Sequence, residues 1–268
     1  MRAPARNGSR TSRTAVTAAI WGVAVVSWEL AYRIVAWRAW VFPAPSHVLE
    51  AIQRLVGPTS QRALLTALAV SGARLVTGFL LSTLIGLGLG LAFWRWRTLD
   101  RTFGGVFLGL QTLPSVCWVP LAVLTFGLNE RGILFVLLMG SAFGMTIAFR
   151  DGLRVIPPIY EKAGMMMGAR GWALYRYVVI PASMPAFAST MRQGFSFAWR
   201  SLMGAELLFM VHAKGVGYLL YEGREFADVA QVVAVMIVMI SVGMVVDRLA
   251  FAPLERRVHS RFGLTTVH

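Results

Sequence analysis

Four polar residues recur at helical spacing inside an otherwise apolar stretch: Ser189, Arg192, Ser196 and Arg200 lie three or four positions apart, on one helical stripe. A guanidinium fork in such a stripe suits the oxygens of sulfonate or nitrate, and a charged side chain facing lipid is expensive enough to demand an interior, a partner or water. A structural use competes. Arg192, nearer the start of the stretch, is expected to snorkel to the membrane boundary. Arg200 is expected either to pair with a carboxylate or free carbonyls, or to lend positive potential to an anion path. Glu206 lies farther along the same stretch.

Other chemistries lack their residues. No Gly-x-x-x-x-Gly-Lys-Ser/Thr segment occurs and the only lysines are Lys162 and Lys214, so no phosphate cradle of that type is present. His47, His212, His259 and His268 are scattered without ligand spacing, and no Gly-x-Ser-x-Gly elbow appears. A membrane-embedded enzyme therefore has no catalytic constellation. Cys117, the single cysteine, lies within an apolar run and reads as a packing residue.

The elements around these residues are membrane spans. The chain has 268 residues, 57% of them hydrophobic, with a mean hydropathy of +0.64. Both exceed what soluble domains show. The net charge of +14 is spread between apolar runs, as flanks of membrane segments are, and not gathered on one face as a nucleic-acid site would be. Six helical spans are predicted: Ala15 to Trp37, Ala73 to Phe93, Phe103 to Phe126, Gly132 to Phe149, Ser183 to Phe209 and Val229 to Phe251. The first is too long for a signal peptide and has no small-residue cleavage site after it. Glu29 and Arg33, four apart, are placed to pair. After Phe42-Pro43-Ala44-Pro45 a short amphipathic helix is predicted, with Val48, Leu49, Ile52, Leu55 and Val56 on its apolar side.

Gly86/Gly90, Gly105/Gly109 and Gly140/Gly144 carry the spacing that lets helices approach closely. Pro114 and Pro120 should break the third span, which is tolerated only against protein or a cavity. Lys and Arg number sixteen in the N-terminus, the 94–102 and 150–181 loops and the C-terminal segment, against six in the opposite loops. That asymmetry puts both termini in the cytoplasm. The layout is then a basic N-terminus over 1–14, a six-span domain over 15–251 and a cytoplasmic tail over 252–268.

One non-spanning stretch, 157–181, is more ordered in pattern than a connector: PPIYEKAGMMMGARGWALYRYVVIP. Two prolines open it, a helix from Ile159 to Met167 is predicted, Gly168 suits the position past its end, and a second helical run, Trp172 to Val179, should stop before Pro181. Met165, Met166 and Met167 give an adaptable apolar surface.

The stretch resembles the cytoplasmic coupling loop of permease subunits in binding-protein-dependent ABC importers, with Lys162-Ala163-Gly164 where that family has Glu-Ala-Ala and the acid one residue earlier, at Glu161. Other segments are similar to nitrate, sulfonate and taurine permeases of the same kind. These are Phe42 to Val48, Leu113-Pro114-Ser115-Val116-Cys117-Trp118-Val119-Pro120-Leu121, Phe126 to Glu130, Gly215-Val216-Gly217-Tyr218-Leu219 and Arg224-Glu225-Phe226.

The resemblance implies an all-α, six-helix permease of type I importer architecture in a bacterial inner membrane. It is expected to work with two ATPase subunits, a second permease subunit forming a homodimer, and an extracytoplasmic solute-binding protein. ATP and magnesium would sit on the ATPase, with no cofactor, metal or nucleic acid on this chain. Glu161, Lys162, Ala163, Gly164, Met165, Met166, Met167, Gly168, Ala169, Arg170 and Trp172 would meet the ATPase. Pro114, Ser115, Trp118, Pro120, Ser196, Arg200, Gly215, Gly217 and Tyr218 would line the path or gate. The solute expected is an organic sulfonate, nitrate or similar anion, with bicarbonate or an uncharged heterocycle as the alternative. A passive channel, the remaining class, would have no use for an ordered coupling loop.

Overall fold

The computed structural model describes residues 9–35, 38, 41–57, 61–211 and 213–261. Arg2, Arg6, Trp37, His212, His268 and the tail from 262 lie outside them, as do the side chains of Arg10 and Arg13. The described residues are helical, without strands. In chain order the elements are α1 (Ser9–Val35), α2 (Pro45–Val56), α3 (Gln61–Arg95), α4 (Arg97–Thr112), a 3-10 turn (Ser115–Trp118), α5 (Val119–Phe126) and α6 (Glu130–Arg154). Then come α7 (Pro158–Met166), α8 (Trp172–Leu174), a π turn (Tyr175–Val179), α9 (Ile180–Leu208), α10 (Val216–Glu225), α11 (Val229–Val246), a second π turn (Asp247–Phe251) and α12 (Ala252–Arg261).

Four described segments are long and apolar enough to cross a membrane: Ala15–Val35, Ala63–Arg95, Glu130–Arg154 and Val229–Arg261; α4 with the 3-10 turn and α5 makes a fifth if that bent pair counts as one span. The segment predicted from Ser183 to Phe209 is α9, 29 residues and so about 43 Å long. Arg192, Arg200 and several serines dilute its hydropathy, and it makes up for this by packing along α6. Its buried face includes Ala188, Phe195, Ala198 and Leu202.

Residues 1–64 with 220–237 form one compact unit, and 65–219 with 238–268 another. In the first, Val48 and Ala51 of α2 pack with Ala230 and Ala234 of α11, flanked by Trp28, Ile52, Leu55 and Val233. Leu49 and Val56, predicted for that apolar side, are exposed, because the stripe through 48, 51, 52 and 55 turns them to its edges. Glu29 pairs with Arg33 at 2.9 Å, and Arg54 with Asp228 at 3.2 Å.

In the second unit the glycine pairs separate into two kinds. A Cβ on Gly86 or Gly90 would sit 2.8 Å from the Cβ of Met145 or Phe149 of α6, and one on Gly144 would sit 2.8 Å from the Phe197 ring of α9. Gly105 and Gly109 have nothing within 4 Å of the same position, so the spacing that packs α3 and α6 leaves that face of α4 open. Ser82 and Ser141 share a buried hydrogen bond of 2.7 Å between α3 and α6. The third predicted span is broken more sharply than a kink, by 103° between α4 and the segment Ser115–Phe126. Pro114 stands at that bend with φ −54° and ψ 134°. Pro120 breaks nothing, since it lies in the first turn of α5, where its missing N–H is not needed.

Candidate functional site

The coupling stretch is built by local signals. Pro157 is extended and Pro158 opens α7. The helix ends in a Schellman motif: Ala169 N–H donates to the Gly164 carbonyl at 2.9 Å, and Gly168 N–H to that of Met165 at 3.0 Å. Gly168 has φ +86°, a left-handed geometry that glycine reaches without strain. Gly164 is buried because a Cβ there would meet Val178 and Leu174 within 3 Å. It therefore closes α7 onto the helical run after it. Outward point Met165, Met166, Met167 and Trp172, the last three 90, 81 and 74% exposed. Lys162, Ala163 and Arg170 are exposed with them, while Glu161 and Ala169 are half-buried.

The second helical run does not stop before Pro181. It passes through the π turn directly into α9, with Ile180 N–H donating to the Tyr175 carbonyl. Pro181 supplies no N–H and its ring would crowd the carbonyl four residues back; the wider π turn upstream accommodates both. The foot of the stretch is held by Asp100 of α4, which accepts from Arg150 at 2.9 Å and Arg154 at 2.6 Å at the end of α6. Trp94 meets Tyr175 edge-on at 5.8 Å.

A second constellation surrounds Glu206, which is 2% exposed. Ser71 Oγ donates to its carboxylate at 2.7 Å, Arg74 Nη1 at 2.7 Å and Gly217 N–H at 3.0 Å. Arg74 also binds the Glu130 carboxylate through Nε at 2.7 Å, and the Ala213 carbonyl through Nη2 at 2.7 Å. Val216 N–H donates to Ser71 Oγ at 2.8 Å. Two carboxylates and one guanidinium thus tie α3, α6 and α9 to the Gly215–Gly217 turn. A Cβ on Gly215 would overlap the Glu206 carboxylate, and one on Gly217 the Glu206 Cβ. Tyr218 lies under Lys214, whose Nζ is 4.4 Å from the ring centroid.

At the α4–α5 bend, Ser115 and Ser201 crowd Gly140 from two sides. Trp118 packs against Phe135 and Phe143, and its Nε1 is buried without a hydrogen-bond partner. Among the described residues no three His, Cys, Asp or Glu side chains gather to hold a metal ion.

Residues 82–260 match the family described as the binding-protein-dependent transport system inner membrane component. The chain belongs to this family. A protein of Methanocaldococcus jannaschii named as an ABC transporter permease is 30% identical over 227 residues, 84% of either chain. The bicarbonate transport system permease protein of Synechococcus elongatus is 24% identical, over 65% of this chain and 63% of its own. The nitrate import permease protein of a Synechocystis species is 21% identical, over 77% and 76%. A chain of the MetNI methionine ABC transporter, in an inward-facing conformation, superposes with a TM-score of 0.65 at 16% identity, covering 75% of this chain and 99% of that one; that likeness concerns the fold.

The permease uses its two α9 arginines differently. Arg192 is held by carboxylates. It holds both Asp247 oxygens, at 2.6 and 2.7 Å, and Glu255 at 2.8 Å, and Ser189 donates to the same Glu255 at 2.8 Å. Arg200 is exposed; it donates to the Ser196 carbonyl one turn back at 3.2 Å and lies 5.3 Å from the Phe197 ring centroid. The stripe therefore splits into a half tied to carboxylates and a half with no carboxylate at salt-bridge distance among the described residues. Ser71 and Arg74 are not among the residues singled out from the sequence. Arg74 stands inside a predicted span, and an arginine in a span is itself a signal that a partner or a water-filled cavity is required.

Proposed function

We propose that this ABC importer permease forms, as a homodimer, the membrane pathway for a small oxyanion of the nitrate, bicarbonate or organic sulfonate kind, delivered by an extracytoplasmic binding protein. Two separate ATPase subunits drive it, docking on the cytoplasmic face at the α7 tip, with both termini of the permease on that same side. The observation that carries the reading is the tip itself. Three consecutive methionines at the end of α7 and Trp172 at the start of α8 stand exposed around a capped helix end with a stapled foot, and methionine surfaces of this kind repack against a partner. Support for an anion comes from Arg200, whose guanidinium has no carboxylate at salt-bridge distance among the described residues, and from the bicarbonate and nitrate systems named among the relatives. In this reading Ser196 and Arg200 border the path, together with the bend at Pro114, Ser115 and Trp118. Gly215, Gly217 and Tyr218 form its pinned turn.

The test is uptake into proteoliposomes that hold the permease, its ATPase and its binding protein, with labelled nitrate, bicarbonate and taurine as solutes. ATP-dependent accumulation of at least one is expected. ATP-dependent uptake confined to an uncharged solute would overturn the anion assignment, and uptake indifferent to ATP would overturn the importer mechanism.

A further inference from the structure

Between the start of α9 and α12 lies an open groove of about 580 Å³ with three arginines on its walls: Arg176, Arg257 and Arg261. Its floor is apolar, with Ile180, Met184 and Val258. The arrangement arises from helical spacing. Arg176, Ile180 and Met184 succeed one another at steps of four, and so do Arg257 and Arg261, with Val258 beside them. The walls are fixed in place, because Glu255 of α12 is held by Arg192 and Ser189 of α9. No carboxylate lines the groove, and none lies within salt-bridge distance of the three guanidinium groups among the described residues.

We infer that this groove is a site for an anionic phospholipid of the surrounding bilayer. Three guanidinium groups without a counter-ion suit a phosphodiester, and the apolar floor suits the first methylenes of the acyl chains below it. A freely soluble phosphate would satisfy the arginines and leave the floor bare. The level is also that of headgroups: Tyr177, next to Arg176, is 75% exposed, as aromatic side chains at a membrane–water boundary are. Basic pockets between helix ends on the cytoplasmic side are where acidic headgroups bind. The site rests on the π turn, the start of α9 and α12 and is independent of the solute carried. Because Arg176 also lies in the coupling stretch, a lipid bound here would brace the helix that carries α7.

Native mass spectrometry of the full-length permease in detergent, titrated with phosphatidylglycerol and separately with phosphatidylcholine, tests the inference. The wild type should retain phosphatidylglycerol in preference. Replacing Arg176, Arg257 and Arg261 together by Gln should weaken that binding about a hundred-fold, and R257Q alone about five-fold, with phosphatidylcholine unchanged. R256Q, whose side chain is outside the groove and bonded to the Ala252 carbonyl, should leave retention as it is. The exposed positions of the three arginines should keep the melting temperature close to wild type; if the triple variant fails to fold, the single variant and a salt titration of the wild type decide. Three results would overturn the inference: undiminished phosphatidylglycerol binding in the variants, its displacement by millimolar inorganic phosphate, or a loss of ATPase affinity with lipid retention intact. The last would make the groove a protein contact.

Discussion

Glu206, near the C-terminal end of α9, is 2% exposed and is held by Ser71, Arg74 and Gly217. Met166, ahead of the N-terminal end, is 90% exposed. Both regions are turns leading out of or into one long helix, and both depend on glycines. At the Glu206 end the glycines admit a side chain: the space a Cβ of Gly215 would take is filled by a carboxylate. At the Met166 end Gly168 has nothing within 4 Å of that position and is needed for its φ of +86°. One turn is closed by the chain's own charges, and the other by a backbone cap and the seating of Gly164 against Val178 and Leu174, with its methionines left exposed. A self-completed region should fail by loss of stability, an incomplete one by loss of activity.

The largest effect should come from Arg74→Met. It strands Glu206 in the interior without its cation, and breaking one side of a buried pair destabilises by about 3–5 kcal/mol. A strongly lowered melting temperature in detergent is expected, with the Gly215–Gly217 turn released. The double variant Arg74→Met/Glu206→Gln should recover part of the loss, since no uncompensated charge remains buried; Glu130, which also loses Arg74, is exposed to solvent. Equal instability of the single and double variants would show that the cluster acts through shape and not charge.

The coupling end should give the opposite pattern. Met166→Asp is an exposed change that should alter stability by no more than about 0.5 kcal/mol, yet abolish ATP-driven uptake. Gly168→Val should do the same at a stability cost of about 1–2 kcal/mol, that of a left-handed residue carrying a Cβ. Full uptake by both variants would remove the docking role of α7 and with it the contrast between the two ends.

The smallest effects sharpen the comparison within α9 itself. Arg192→Gln gives up Asp247 and Glu255 in a half-exposed site and should cost on the order of 1 kcal/mol, leaving transport per folded molecule intact. Arg200→Gln should leave the melting temperature unchanged and lower anion uptake several-fold, with Arg200→Lys retaining more. Unaltered uptake in Arg200→Gln would return Arg200 to a packing role against Phe197.

Much of this architecture can be read along the chain. The apolar runs mark spans because lipid offers no partner to a backbone amide, so each crossing must satisfy its own hydrogen bonds locally. Pro157, Pro158 and Gly168 mark α7 for an equally local reason, since they act on the residues beside them. The tertiary structure decided what depends on distant residues. Arg74 meets Glu130 and Glu206 across 56 and 132 positions, with no periodicity linking them. Gly86/Gly90 and Gly105/Gly109 have the same spacing, and only the first pair has a helix against it. Pro181 has the form of a stop and lies in continuous helix, because a π turn upstream makes room for it. Arg192 and Arg200 share a stripe but differ in fate, since the acids of α12 and the turn before it reach one and not the other. A residue's type sets what it requires; which neighbour meets that requirement is settled only when helices far apart in the chain are packed side by side.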